Sequence, residues 1–240
     1  MIEAPVGQME GRRRPLRPGN VLVTLEDLLI VTWRQDPAQM ARRLPGGLVP
    51  VQHGGAAFSS ALLFRNRALR PVPFGVPRFS GPQVNVRSYV VDPITRQPGA
   101  VYFHSLELDA RAVSAFSRAL FRVPFGHRSF AMESSRNPAR WSAQGDGVDI
   151  VAVEGSTSHA FAPALVDLWS NSHSGYFATA SGRLKGWSIW HRPQRLRPMR
   201  LERFLLEPAA RIGLEGLEPV SVYLVDTIDY EVYLPPKTLG

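Results

Sequence analysis

Two alternating runs, Asn85-Val-Arg-Ser-Tyr-Val90 and Val101-Tyr-Phe-His-Ser-Leu-Glu107, lie on either side of a turn containing proline and glycine. Successive side chains of a strand point to opposite faces, so Asn85, Arg87 and Tyr89 share one face of the first run. On the second run, strict alternation puts Ser105 and Glu107 on one face and Tyr102, His104 and Leu106 on the other. An amide, a guanidinium and a phenol on one face suit a dry core poorly, because unpaired buried polar groups are costly. That face therefore meets water or lines a polar pocket.

The rest of the chain repeats the same grammar. Leu28–Trp33 is a short apolar run with strand character, and Asp36-Pro37 supplies a helix cap followed by proline at the first helical position. His53-Gly54-Gly55 is a turn signal between Leu48–Gln52 and Ala56–Leu69, which read as a hairpin. The stretch from Pro71 to Pro82 is rich in proline and glycine and reads as a loop. Asp109 is placed to cap a helix over Ala110–Phe121 with Val113, Phe116, Leu120 and Phe121 on its apolar face. Strand-like patterns cover Ser129–Glu154, about Gly145-Asp-Gly147, and Tyr176–Trp190, about Ser181-Gly182. A further helix is expected from Pro163 to Asn171, and two last strands at Val220–Val225 and Ile228–Leu234. Many strands and few short helices, without strand–helix–strand alternation, predict an α+β fold.

At 240 residues and 44% hydrophobic content, one domain over residues 21–240 can bury a substantial core. Residues 1–20, rich in Arg, Pro and Gly, are expected to form a flexible basic tail. There is no cysteine, which excludes disulfides and thiol chemistry and fits a reducing, cytoplasmic setting. No leader-like or membrane-spanning pattern is present, so no membrane partner is expected. The net charge of +8 invites nucleic-acid binding through an arginine-rich surface. Yet no recognition motif or aromatic–basic platform accompanies the arginines, and a solvated basic surface is the simpler account.

Catalytic signatures are missing. There is no G-x-S-x-G elbow, no S-x-x-K pair and no phosphate-binding loop. Six dispersed histidines show no metal-ligand spacing, so neither a metal nor another cofactor is expected. The candidates that remain are Asn85, Arg87, Tyr89 and Ser105 for holding a ligand, with Glu107 and His127 as candidate acid–base groups. Arg87 suits bidentate capture of a carboxylate or phosphate. The competing account pairs Arg87 with Glu107 as an ion pair that fixes strand register.

Several short segments carry a family resemblance. They are Leu44-Pro-Gly-Gly-Leu48, Asn85–Val90, Val101–Leu106, Pro124-Phe-Gly-His127, Gly182-Arg-Leu-Lys-Gly186 and His191-Arg-Pro-Gln-Arg-Leu196. In this order and at this spacing, over residues 24 to 234, the chain resembles the YqjF-like family of uncharacterised bacterial proteins, grouped with acetoacetate decarboxylase. The resemblance implies a large antiparallel sheet curled around a cavity, with no known reaction. Acetoacetate decarboxylases place adjacent lysines mid-chain for imine chemistry, whereas the lysines of this chain are Lys185 and Lys237. Arginine cannot serve instead, because it does not lose its proton. The chain also carries Asn171-Ser172-His173 where relatives tend to have an acidic-Arg-Tyr run. The aromatic segment Trp169, Tyr176, Phe177, Trp187 and Trp190 either walls the cavity or packs the core.

The expected function is therefore binding, or turnover without a Schiff base, of a small acidic or carbonyl-containing molecule. Two alternatives stay open: an interaction or scaffold protein with a packed interior, and nucleic-acid binding. A homo-oligomer is compatible with all three.

Overall fold

A computed structural model of the chain describes residues 13–73, 78–137, 139–155, 172–192 and 194–239. Seven strands follow one another around a closed ring. They are β1 (Val21–Gln35), β3 (Ala56–Pro71), β4 (Phe79–Val90), β5 (Ala100–Leu108), β10 (Ser174–Ala178), β11 (Leu184–His191) and β13 (Ser221–Thr238). Pairing of β13 back onto β1, from Val21↔Val232 to Thr32↔Ser221, closes the barrel. All contacts around the ring are antiparallel except β5 with β10. The α+β expectation holds, and the curled sheet closes on itself as a barrel.

A second layer extends from β13 through β12 (Arg197–Leu206), β9 (Val148–Glu154), β8 (Ala139–Gly145) and β7 (Phe130–Arg136). It covers the outer face of β1, β3 and β4. Leu29, Val31, Leu63, Val84 and Val86 from the barrel pack there against Trp141, Ile150 and Met199. Trp33 and Trp141 are fully buried in this layer, and each such side chain contributes about 1.5–3 kcal/mol by leaving water. Their indole N–H groups are satisfied, Trp33 Nε1 donating to the Leu217 carbonyl at 3.1 Å and Trp141 Nε1 to that of Asp27 at 2.8 Å. The other face of the same three strands points into the barrel.

Local signals succeed where the chain must turn. Asp36 accepts from the Gln39 amide at 2.8 Å and caps α1 (Pro37–Arg43). Gly54 and Gly55, both at positive φ, make the turn between β2 (Gln52–His53) and β3. The long strands extend beyond their apolar runs. β1 begins at Val21 because Glu26 and Asp27 sit at a bulge, with Asp27 at φ 52°, rather than ending the strand. β13 likewise runs through Asp226 and Thr227 without a break. Ser80, Gly81 and Pro82, expected in a loop, belong to β4, with Gly81 opposite Asn66.

The helix over Arg111–Phe121, α2, is capped by Ala110 without a side-chain bond, so Asp109 is not its cap. Its apolar face also differs from expectation, since Phe116 is exposed and Ser114 is buried, donating to the Gly126 carbonyl at 2.8 Å. The side chains of Leu120 and Phe121, and the helix expected at 163–171, lie outside the described residues. A short helix α3 (Glu207–Ala210) and a two-residue strand β6 (Gly126–His127) complete the described elements.

Of the expected basic tail, residues 1–12 lie outside the described residues. From Arg13 onward the segment lies along β13 and β11. Arg13 bonds Glu231 at 2.6 Å, its guanidinium stands 4.7 Å from the Trp190 ring, and Asn20 Nδ2 donates to the Leu234 carbonyl at 3.1 Å. No helix among the described residues is long and apolar enough to cross a membrane.

Candidate functional site

Strand β4 delivers its polar face to the barrel interior. Its inward residues, Gln83, Asn85 and Arg87, line a cavity of about 180 Å³ together with Asn66 from β3 and Tyr230 from β13. The opposite wall is apolar, with Phe103 and Leu106 from β5, Val123 and Phe125 after α2, and Trp187 and Ile189 from β11. Arg87 is the only charged side chain among the described residues of the lining. It is nevertheless 6% exposed, so whatever meets it does so in a poorly screened environment.

Arg87 is held from behind. Its Nη2 donates to the Tyr89 hydroxyl at 3.2 Å, and that hydroxyl shares a hydrogen bond with Ser60 Oγ at 2.8 Å. Ser60 in turn bonds Thr32 at 2.8 Å. These residues sit on neighbouring strands in register, Thr32↔Ser60 and Ser60↔Arg87. Tyr89 is fully buried and touches Arg87 rather than the cavity, so it positions the guanidinium.

The interior holds a further polar group that the sequence did not single out. Tyr230 accepts from Gln194 Nε2 at 2.8 Å and lies with its ring 4.5 Å from that of His191. Burial pushes the Tyr230 phenol up to about 12, against the lowering influence of the Arg87 charge. The phenol therefore keeps its proton at neutral pH and can donate. Burial likewise pushes the His191 imidazole down to about 4, and the nearby His173 and Arg87 act in the same direction. Its Nδ1 lies 2.8 Å from the Arg192 carbonyl, which only accepts, so Nδ1 carries the proton of the neutral ring. A signal for both residues existed: Trp187, Ile189 and His191 alternate along β11, and Tyr230 alternates with Val232 and Leu234 along β13.

Three of the residues singled out from sequence come together, and three do not. Asn85 and Arg87 line the cavity with Tyr89 behind them. Ser105 and Glu107 lie on the outward face of the barrel, paired with Val86 and Val84 of the outer core. Ser105 donates to Glu107 at 2.8 Å. The proposed Arg87–Glu107 ion pair is thereby overturned. Glu107 instead binds Arg128, which also reaches Glu207 at 3.0 Å. Burial works against the Arg128 charge, but Glu107 and Glu207 outweigh it and hold its pKa above the ordinary value.

A bulge on β5 breaks the strict alternation expected there. Val86 pairs with Ser105 and Arg87 with Phe103, leaving His104 as an extra residue. The parity of the strand changes there, so Leu106 faces inward with Phe103 rather than outward with Tyr102. His104 bonds Ser88 at 2.8 Å and stands edge-on to Tyr102. His127 does not line the cavity; it is partly exposed, 3.6 Å from Asp109. Of the aromatic segment, Trp187 lines the cavity, Phe177 is core, Tyr176 donates to Asp92 at 3.0 Å, and Trp169 lies outside the described residues.

Neither lysine reaches the cavity. Lys185 lies on β11 opposite Thr238, and Lys237 lines an outer groove. Three of the late arginines stand beside carboxylates. Arg197, Arg200 and Arg203 face Asp226, Glu202 and Asp149 at 3.1, 3.6 and 2.8 Å.

Comparison with known proteins gives the same frame. A family model, DUF2071, described as an uncharacterized conserved protein (COG2071), matches residues 23–229. Among solved structures, an acetoacetate decarboxylase from Legionella pneumophila superposes with a TM-score of 0.63 at 14% identity, covering 97% of this chain and 93% of that one. The enduracididine biosynthesis enzyme MppR, complexed with pyruvate, gives 0.60 at 17% identity, covering 94% and 92%. An acetoacetate decarboxylase-like enzyme from Sphingomonas wittichii gives 0.58 at 11% identity, covering 92% of each. No curated protein matches.

Proposed function

The chain belongs to the DUF2071 family of uncharacterized conserved proteins on an acetoacetate decarboxylase-like fold, and we propose that its barrel cavity binds a small organic monoanion, anchored by Arg87. The observation that carries this reading is a guanidinium on the wall of a largely apolar cavity, the one charged side chain among the described lining residues. A planar guanidinium grips a carboxylate with two parallel hydrogen bonds, while the apolar wall accepts a hydrocarbon part. An apolar cavity of about 150 Å³ holds benzene, so about 180 Å³ here suits an anion with five or six carbons or a single small ring. The names of two structural neighbours point to the same class, since acetoacetate and pyruvate are both small organic acids.

Imine chemistry is not part of the proposal, because neither Lys185 nor Lys237 lines the cavity. Tyr230, protonated at neutral pH, is the lining residue able to donate to a bound anion, with the neutral His191 ring packed behind it. Calorimetric titration with furan-2-carboxylate tests the anchor. Saturable binding is expected, weakened at least tenfold by Arg87→Lys, because lysine supplies a charge without the planar fork. Equal binding by the two proteins refutes it.

A further inference from the structure

The cavity wall beside Arg87 carries a row of three amides, Asn66, Gln83 and Asn85. All three are nearly inaccessible to solvent, yet each touches the cavity. Asn66 Nδ2 lies 3.4 Å from the Gly81 carbonyl and donates to Gln83 Oε1 at 2.9 Å. Gln83 Nε2 then donates to Asn85 Oδ1 at 2.8 Å.

The direction of this row is fixed at one end. A backbone carbonyl can only accept, so Asn66 must turn its NH2 group, not its oxygen, toward Gly81. The second hydrogen of the same NH2 group meets Gln83, which therefore presents Oε1 to Asn66 and Nε2 to Asn85. Asn85 has its oxygen occupied in turn, and the end it has left for the cavity is its Nδ2 donor. Register produces the arrangement, since Asn66 pairs with Gly81 across β3 and β4 while Gln83 and Asn85 follow on the inward side of β4. An uncharged residue at the far end of the row thus decides which end of Asn85 a ligand meets.

We infer that Asn66 and Gln83 are positioning residues that polarise Asn85 as a donor, so that the cavity selects anions bearing a proton-free acceptor atom next to the carboxylate. The inference deepens the proposed function and rests on Arg87 holding the carboxylate. On the other flank, Tyr230 has its hydroxyl oxygen engaged by Gln194 and its own hydrogen left to donate. A ligand turned over about its carboxylate axis therefore meets a donor on either side. A ligand N–H in that place would face N–H or O–H, leaving a buried donor unsatisfied.

Furan-2-carboxylate and pyrrole-2-carboxylate provide the test, because they share charge, size and shape and differ in a ring oxygen that accepts and a ring N–H that donates. Calorimetric titration of the unaltered protein is expected to show tighter binding of the furan acid by about tenfold, equivalent to roughly 1.4 kcal/mol. Asn66→Leu removes the anchor on Gly81, and Gln83→Met breaks the middle link. Either change frees Asn85 to turn, and the ratio between the two acids should fall toward one in whichever variant keeps a native circular dichroism spectrum. A residue acting only on stability would not move that ratio.

Binding of both acids that depends on Arg87, with a ratio near or below one in the unaltered protein, overturns the relay and leaves the anion reading in place. A tenfold ratio that survives both amide substitutions overturns it as well. If neither acid gives saturable binding to the unaltered protein, the anion reading fails and the relay fails with it.

Discussion

The redirected partner of Glu107 yields a quantitative stability prediction. Glu107 and Arg128 have side chains only 9% and 6% exposed, and they join the barrel strand β5 to the turn that leads into β7. Removing one partner of a buried pair typically costs about 3–5 kcal/mol, because a charge is stranded away from water. Here the two single changes are unequal. Glu107→Leu leaves Arg128 with Glu207 at 3.0 Å, a carboxylate half exposed, so the loss should sit near the lower end, about 3 kcal/mol. Arg128→Met leaves Glu107 with only Ser105 and the distant, exposed Arg211 at 4.0 Å, so the loss should be near the upper end, about 5 kcal/mol.

The double variant loses a pair rather than stranding a charge, and a coupling of about 2 kcal/mol or more is expected between positions 107 and 128. Positions 87 and 107 lie on opposite faces of the sheet, and their coupling should stay within about 0.5 kcal/mol. Urea unfolding followed by circular dichroism measures both cycles. Strong coupling of Glu107 to Arg87, with additivity between Glu107 and Arg128, would refute the placement of these groups and the barrel register with it.

Other consequences are open to direct measurement. His191 is pushed down to about 4 chiefly by burial, so below its ordinary value of 6.5 the unfolded chain takes up a proton that the native ring does not. Stability is then fully present above about pH 6.5 and falls as pH drops toward 4, by about 3 kcal/mol for this group. His104 is shifted likewise, by burial and then by Arg43. His191→Gln should therefore remove roughly half of the histidine-linked slope in urea midpoints between pH 7 and 4.5; an unchanged slope would contradict the buried neutral ring. Borohydride reduction in the presence of acetoacetate, followed by peptide mass mapping, is expected to leave Lys185 and Lys237 unmodified, and a stoichiometric adduct at either would reinstate imine chemistry.

Much of the barrel could be read from residue order, because turns and alternation are local properties. Asp36-Pro37, Gly54-Gly55 and Ser181-Gly182 each set a boundary by their own backbone chemistry, and the structure follows them. Asn85 and Arg87 were legible as a polar inner face for the same reason: two-residue periodicity holds along all of β4. The bulge at His104 was not legible, since an extra residue leaves no mark on composition yet reverses every face after it. That single residue separates Ser105 and Glu107 from the cavity. Phe116 shows the opposite failure, a helical apolar pattern that solvent rather than core receives. Tyr230 and His191 follow alternating runs that mark their faces, but the pairing that sets them side by side, like that of Asn66 with Gly81, joins strands that no local pattern matches to one another.

The central claim, that the cavity is an anion site organised by Arg87, is tested most directly by locating a bound acid. A crystal soaked with 5-bromofuran-2-carboxylate reports the ligand by the anomalous signal of bromine. The account predicts a single strong bromine site inside the barrel against Phe103, Phe125 and Trp187, with the carboxylate on Arg87 and the ring oxygen within hydrogen-bond distance of Asn85 or Tyr230. Bromine sites confined to the arginine-rich exterior, with no ligand density in the cavity at the same concentration, would contradict it.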